Sequence, residues 1–113
     1  MTQITSHILD TSLGKPAEGV AITLLQQNCN DWIELGQGTT NADGRVSDFT
    51  GSDAVLTGGV YKLKFLLSDY YKILNTDSFY PYAEVVFQIG GDGQHYHVPL
   101  LLNPFGYSTY RGS

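Results

Sequence analysis

The sequence predicts an all-β fold, a sandwich of eight short strands in two sheets with one short helix. Glycines and Asn/Asp-rich turns, with 13 glycines in 113 residues, divide the chain into short pieces of mostly strand character. Apolar and polar residues alternate along most of these pieces, which is the period of a strand with one buried face. The length suits a single domain, expected to span residues 1–113 and to bury a core without disulfide or metal support.

The first half of the chain predicts four strands, each followed by a turn. They cover residues 4–10, 20–25, 32–39 and 45–48. In the second of them, Val20, Ile22 and Leu24 alternate with their neighbours, which indicates one buried face. Gly14-Lys15-Pro16 ends the first strand, and Asn41-Ala42-Asp43-Gly44 is a turn whose glycine can adopt positive φ.

The second half of the chain predicts four more strands. They cover residues 59–65, 82–89, 95–102 and 106–110. In the strand at residues 82–89, Ala83, Val85 and Ile89 share one face. Gly90-Gly91-Asp92-Gly93 then turns the chain. Because the last two strands lie close in sequence, we expect them to form an antiparallel pair.

Residues 68–74 interrupt the strand pattern and predict the single helix. We expect Ser68 to cap its N-terminus, with Asp69 in the first turn, where the helix dipole favours a negative charge. Asn75 is expected to end the helix.

The composition limits the classes of partner. The formal net charge is -5 and no cluster of Lys or Arg stands out, so we expect neither nucleic acid nor an anionic membrane surface as a partner. No apolar run approaches the ~20 residues that a membrane helix needs. The N-terminal residues lack the basic and apolar segments of a secretory signal, so the cytoplasm is the expected compartment.

Two further features of the composition concern the surface. Charged residues make up 15% of the chain, below the usual share of about 25%. A surface so poor in charge suggests that another subunit covers part of it. Cys29 is the single cysteine and cannot form an intrachain disulfide, so we expect an ordinary thiol in a turn.

Three histidines are the main candidates for chemistry, because imidazole changes its charge near neutral pH. His7 lies in the first strand, whereas His95 and His97 are two residues apart and would share one face, with Tyr96 on the other. The pattern leaves three readings open: a zinc site made of three imidazoles, two polar residues on an exposed strand, or a histidine-based hydrolytic or binding site. No carboxylate is placed to complete a zinc site.

Arg45 and the C-terminal tail are the other candidates. A lone arginine such as Arg45 is most often a solvated charge. Residues 106–110 have strong β propensity almost to the last residue, which favours a docked strand over a frayed end. The sequence contains no Gly-x-Ser-x-Gly elbow, phosphate-binding loop or dinucleotide-binding glycine pattern.

Several segments together resemble a known family. They are residues 95–113 with their ending Tyr110-Arg111-Gly112-Ser113, the segment Ser6-His7-Ile8-Leu9-Asp10, and Gly44-Arg45-Val46. These segments are similar to the C-terminal, N-terminal and middle motifs of the 5-hydroxyisourate hydrolases of the transthyretin-like family. Residues 80–87 resemble transthyretin itself, and the resemblance covers essentially the whole chain.

The resemblance implies an eight-stranded transthyretin-like (prealbumin-like) sandwich that assembles as a homotetramer, a dimer of dimers, with sites in a channel between subunits. It also implies hydrolysis of 5-hydroxyisourate to 2-oxo-4-hydroxy-4-carboxy-5-ureidoimidazoline in urate degradation, by general acid/base catalysis without a metal or other cofactor. The alternative is a non-catalytic transthyretin-like carrier of a small ligand. A carrier has no need for two histidines and an arginine in the channel.

The same resemblance assigns roles to individual residues. It implies catalytic roles for His7, Arg45, His97 and Ser113. It implies substrate binding by His7, Arg45 and Tyr110. His97, rather than His95, matches the second histidine of the family. Which histidine acts as the general base is left open.

Overall fold

The computed structural model describes residues 3–51 and 54–112, which form nine strands and one helix. In chain order they are β1 (Ile4–Asp10), β2 (Lys15–Pro16), β3 (Ala21–Asn28), β4 (Asp31–Thr39), β5 (Arg45–Val46), β6 (Gly59–Leu66), α1 (Ser68–Ile73), β7 (Tyr82–Ile89), β8 (Tyr96–Asn103) and β9 (Gly106–Thr109). The strands form two sheets. This confirms the predicted all-β sandwich with one short helix.

The topology places β1 inside the first sheet. That sheet has the order β2-β1-β8-β9, and β5 also pairs with β1. The second sheet has the order β4-β3-β6-β7, in which neighbouring strands are antiparallel. Strands β1 and β8 run parallel, whereas β8 and β9 form the predicted antiparallel pair. As a result, the N-terminal strand lies directly beside the strand that follows His95.

The core lies between the two sheets. Along β1 burial alternates residue by residue, so Ile4 and Ile8 face the core. Tyr61, Leu63 and Phe65 of β6 face it from the other sheet and are fully buried. Full burial of one large apolar side chain contributes roughly 1.5–3 kcal/mol. The strand period read from the sequence therefore also defines the inner face of the sandwich.

All eight predicted strands are present, but some boundaries were wrong. β3 continues to Asn28, β5 ends at Val46, and β8 begins only at Tyr96, so His95 precedes the strand. The prediction also missed β2, because the segment Lys15–Pro16 was interpreted as a turn. It pairs with the end of β1, and this pairing follows from tertiary packing rather than from any local pattern.

The helix occurs where it was predicted, but the prediction of Ser68 as its N-cap was wrong. Leu67 occupies the cap position, and no side chain there makes a capping hydrogen bond. The backbone N–H groups of Leu67 and Ser68 both donate to the carbonyl of Pro81 at 3.0 Å, and Leu67 is buried. Tertiary packing of Leu67 thus moves the start of the helix by one residue. Asn75, with φ of 52°, follows the helix end as expected.

Within residues 3–51 and 54–112, no helix has the length and apolar character needed to cross a membrane.

Candidate active site

Strand register brings three of the predicted site residues onto one face of the first sheet. In β1, Thr5 and His7 point away from the core because their neighbours Ile4, Ser6 and Ile8 are buried. The register pairs His7 with Arg45 of β5, and Thr5 with His97 of β8. Residues paired directly across neighbouring strands project from the same face. His7, Arg45 and His97 therefore share the outer face of the sheet.

A tight turn delivers Arg45 to this position. The side-chain oxygen of Asn41 accepts hydrogen bonds from the N–H groups of Asp43, at 2.9 Å, and Arg45, at 3.1 Å. Gly44 has φ of 72°, and a Cβ there would lie 2.5 Å from the carbonyl oxygen of Ile8. Only glycine allows this turn to press so closely against β1. The predicted turn is thus what places the guanidinium beside His7.

Arg45 and His97, but not His7, line an open cleft of about 340 Å³ on the shared face. It is lined by Thr5, Ser6, Arg45, Val46, Ser47, His95 and His97. The ring of His7 is stacked against that of His97, with centroids 6.4 Å apart and planes inclined by 19°. The volume lies within the range of ~300–1,000 Å³ typical of small-molecule sites.

Burial and charge lower the pKa of both stacked histidines, His7 and His97. Partial burial lowers the pKa of His7, and the nearby Arg45 lowers it further, while Asp43 acts in the opposite direction. Burial also lowers the pKa of His97, followed by the effects of Arg45 and the neighbouring histidines. Because an ordinary histidine has a pKa of about 6.5, a lowered pKa favours the uncharged form of both rings at neutral pH. A neutral imidazole can accept a proton at one ring nitrogen and donate one at the other.

Thr5 is a cleft residue that the sequence analysis missed. Its hydroxyl oxygen lies 2.8 Å from Nδ1 of His97 and 3.0 Å from Nε2 of His95. The rings of His95 and His97 stack with centroids 6.5 Å apart, which confirms that they share a face. The sequence did contain a signal for Thr5. It lies two positions before His7, so both side chains lie on one face of the strand.

The three imidazoles do not converge on one point. Nε2 of His95 and Nδ1 of His97 are both directed at the hydroxyl of Thr5. Across the part of the chain that the structure describes, no group of three or more His, Cys, Asp or Glu side chains is placed to hold a metal ion. The geometry therefore does not assemble the three-histidine zinc site considered from the sequence.

The tail packs against the cleft. Beyond β9, the N–H of Gly112 donates to the carbonyl of His97 at 2.8 Å, forming a short antiparallel bridge. A Cβ on Gly112 would lie 2.6 Å from Cδ2 of the His97 ring and 3.2 Å from Cγ of Pro99. The expectation of a docked tail thus holds as far as Gly112, whose missing side chain allows the backbone to lie against the imidazole.

The other tail residues are placed differently. Arg111 lies over the ring of Tyr96, 4.5 Å from its centroid, and donates to the side-chain oxygen of Gln94 at 2.6 Å. Tyr110 is 57% exposed and lines a separate groove beside β7. Within a single chain it therefore lies away from the histidines of the cleft. Its role in substrate binding stays a prediction. Ser113 lies outside the described residues, and so does the prediction made for it.

Comparison with known proteins places this geometry in a family. A sequence profile described as Transthyretin: HIUase/Transthyretin family matches residues 4–112. A probable 5-hydroxyisourate hydrolase of Caenorhabditis elegans is 51% identical over 110 residues, covering 97% of this chain and 81% of that protein.

Two solved structures are also similar. The structure of Klebsiella pneumoniae 5-hydroxyisourate hydrolase has a TM-score of 0.84 at 39% identity, covering 97% of this chain and 98% of that one. Sea bream transthyretin in complex with thyroxine has a TM-score of 0.89 at 31% identity, covering 97% of this chain and 94% of that one. On the extent and identity of these matches, the chain belongs to the HIUase/Transthyretin family.

Proposed function

We propose that this protein hydrolyses 5-hydroxyisourate to 2-oxo-4-hydroxy-4-carboxy-5-ureidoimidazoline, a step of urate degradation. The observation that carries the proposal is the placement of two imidazoles, His7 and His97, beside the guanidinium of Arg45 on one face, where burial and Arg45 lower the pKa of both. The relative of Caenorhabditis elegans that is 51% identical and the similar structure from Klebsiella pneumoniae, both named 5-hydroxyisourate hydrolases, support it.

The reaction adds water to a ring carbonyl and then breaks the ring C–N bond. One imidazole removes a proton from water as the oxygen attacks the carbonyl carbon. The carbonyl electron pair becomes an oxyanion, which Arg45 stabilises through its permanent charge and planar fork of donors. When the oxyanion collapses, the ring nitrogen leaves and takes up a proton. General acid/base catalysis of this kind contributes ~10²–10⁴-fold in rate.

This scheme needs no metal and no covalent enzyme intermediate. An imidazole supplies the base, and the guanidinium supplies the positive charge that a Lewis acid would otherwise provide. His7, Arg45 and His97 are therefore proposed as catalytic residues. Substrate contacts are proposed for His7, Arg45 and Tyr110, and Ser113 is proposed to complete the site from the tail.

We propose that the protein works in the cytoplasm as a homotetramer, a dimer of dimers. The cleft lies on an exposed sheet face, so a second copy packed over that face would turn it into a channel. Strands β7 and β9 each form one edge of their sheet in the described chain, and they expose Tyr82, Val86 and Tyr107. Edge strands with exposed apolar side chains favour pairing with another chain.

The decisive experiment is a direct assay of turnover. Urate oxidase generates 5-hydroxyisourate in the cuvette, and its ultraviolet absorbance is followed with and without this protein. We expect decay much faster than the spontaneous rate, and unchanged after treatment with a strong chelator. Decay at the spontaneous rate would refute the hydrolase, and loss of activity with the chelator would refute the metal-free scheme.

A transthyretin-like carrier is the second candidate function, and the similarity to sea bream transthyretin, at a TM-score of 0.89, favours it. The same assay separates the two, when combined with a titration of thyroxine followed by fluorescence. Tight thyroxine binding without acceleration of the decay would support a carrier. We expect acceleration, because a carrier gains nothing from two neutral imidazoles beside a guanidinium.

Two asparagine variants test the assignment of the histidines. We expect His97→Asn to lose most activity, by ~10²-fold or more, because it removes a ring that donates or accepts a proton. His95→Asn is the matched control and should retain most activity, because His95 is exposed at the rim of the cleft. The reverse result would show that the second catalytic histidine has been assigned to the wrong residue.

A further inference from the structure

We infer that Thr5 is a positioning residue that selects the tautomer of His97, so that His97 carries its proton on Nε2 and His7 is the general base. The role of His7 as general base rests on the proposed function, whereas the tautomer of His97 does not depend on it. The observation behind it is the single hydroxyl that contacts two imidazoles, Nδ1 of His97 at 2.8 Å and Nε2 of His95 at 3.0 Å.

Proton counting restricts the possible arrangements. A threonine hydroxyl has one hydrogen to donate and two lone pairs to accept with. Thr5 therefore cannot donate to both rings, and at least one imidazole must donate an N–H to it. If both rings donated, the hydroxyl hydrogen would lack an acceptor at a half-buried position, which is unfavourable. One ring thus donates to Thr5 while the other accepts from it.

The contact lengths and the exposure of His95 favour one of the two remaining arrangements. N–H···O bonds are most often about 2.9–3.0 Å long, and bonds donated by a hydroxyl to oxygen about 2.7–2.8 Å. The shorter contact, to His97, fits donation by Thr5, and the longer contact, to His95, fits donation by the imidazole. His95 is exposed, so water can serve its other nitrogen. The hydrogen bonds then run from His95 through Thr5 to His97, in one direction, and reinforce one another.

The direction of these hydrogen bonds gives His7 and His97 different roles. Because Nδ1 of His97 accepts from Thr5, a neutral His97 holds its hydrogen on Nε2, the ring nitrogen that Thr5 does not occupy. In that form His97 donates a hydrogen bond to the substrate and does not remove a proton from water. The proton that His7 takes from water is then the one that the leaving nitrogen receives. The base is then His7, which pairs with Arg45 across β1 and β5 and stacks against His97.

Nuclear magnetic resonance tests the structural part without any turnover. Two-bond ¹H–¹⁵N spectra of the labelled full-length protein report which nitrogen of each neutral histidine is protonated. We expect His97 as the Nε2–H tautomer in the wild type and in Thr5→Ser, which keeps the hydroxyl. Thr5→Val should shift His97 towards a mixture. An Nδ1–H tautomer of His97 in the wild type would overturn the inference, even if Thr5→Val fails to fold.

Kinetics test the catalytic part. Thr5→Val should lower kcat about tenfold with little change in KM, the size expected for loss of one hydrogen bond that orients a reacting group. Thr5→Ser should restore kcat. Thr11→Val is the matched control, since its hydroxyl donates to Leu102 outside the cleft. A Thr5→Val enzyme with wild-type kcat would overturn the role in catalysis. A wild type with the expected tautomer but without turnover would refute only the proposed hydrolase.

Discussion

At the residue scale, the cleft depends on one permanent charge and two groups that must stay neutral. Arg45 pairs directly with His7 across β1 and β5, and its charge lowers the pKa of both His7 and His97. Partial burial is the larger cause for each ring. Besides its proposed role in stabilising an oxyanion, Arg45 therefore has a second effect, because its charge favours the unprotonated form of the proposed base.

Replacing Arg45 should move both titrations upward. Without the guanidinium the imidazolium forms are less disfavoured, so Arg45→Gln should raise the pKa of His7 and His97, as followed by NMR. In the wild type, the acid limb of kcat/KM should lie below the usual histidine value of about 6.5. Arg45→Lys is the control, because it keeps the charge and should leave both titrations nearly in place. Unchanged histidine titrations in Arg45→Gln would contradict this account.

Gly112 is the second residue on which the cleft depends. A methyl group there would lie 2.6 Å from the His97 ring, so Gly112→Ala must displace the imidazole or the tail. Misplacement of a reacting group by ~1 Å can lower a rate by ~10²-fold. We therefore expect Gly112→Ala to lower kcat by roughly 10- to 100-fold. Gly90→Ala, whose Cβ would meet nothing closer than 3.7 Å, should keep wild-type kcat. Equal activity of the two variants would show that the tail does not constrain His97.

At the scale of elements, Asp10 joins the end of β1 to the helix. Its carboxylate is fully buried and accepts hydrogen bonds from the hydroxyl of Tyr70 at 2.7 Å and from the hydroxyl and N–H of Ser12. Burial alone would raise the pKa of Asp10, but these hydrogen bonds, with one from the N–H of Leu13, outweigh it and lower the pKa. The stabilisation is present above the unfolded pKa of about 3.9 and is lost as the pH falls through the lower folded value.

Two adjacent tyrosines allow a matched test of this link. Tyr70→Phe removes one partner of a buried carboxylate and should cost about 1–3 kcal/mol in the free energy of unfolding, measured with denaturant at neutral pH. Among the described residues, the buried hydroxyl of Tyr71 has no hydrogen-bond partner, so Tyr71→Phe removes an unsatisfied polar group and should not lower the free energy of unfolding. Similar losses for both variants would show that the hydroxyl of Tyr70 contributes little.

Elements were predictable to the extent that they depend on local sequence. Strands such as β1 and β7, which alternate over seven and eight residues, were found with their predicted bounds. The two-residue strands β2 and β5 are too short to carry a period. They pair with β1 because turns fold them back onto it, and only the Asn41-Ala42-Asp43-Gly44 turn had a recognisable sequence signal.

At the scale of the whole molecule, the proposed tetramer and the tail can be tested together. Removing residues 111–113 takes away Gly112, which contacts His97, but leaves β9 intact. We expect turnover to fall by ~10²-fold while light scattering after gel filtration still gives a mass four times that of the chain. Normal turnover by the truncated protein would exclude a catalytic role for the tail. A monomer in the full-length protein would refute the tetramer.

The sequence by itself determined the fold class, the positions of the longer strands and, through its motifs, the family. The same motifs led to the proposal of His7, Arg45 and His97 as site residues. Those features depend on short-range periodicity and on residue type. The tertiary structure decided the parallel pairing of β1 with β8, and with it the contact between Thr5 and His97, which are 92 positions apart. The alternation along β1 excludes a register shifted by one residue, which would turn every side chain to the opposite face, but it does not select the partner strand or distinguish shifts of two residues.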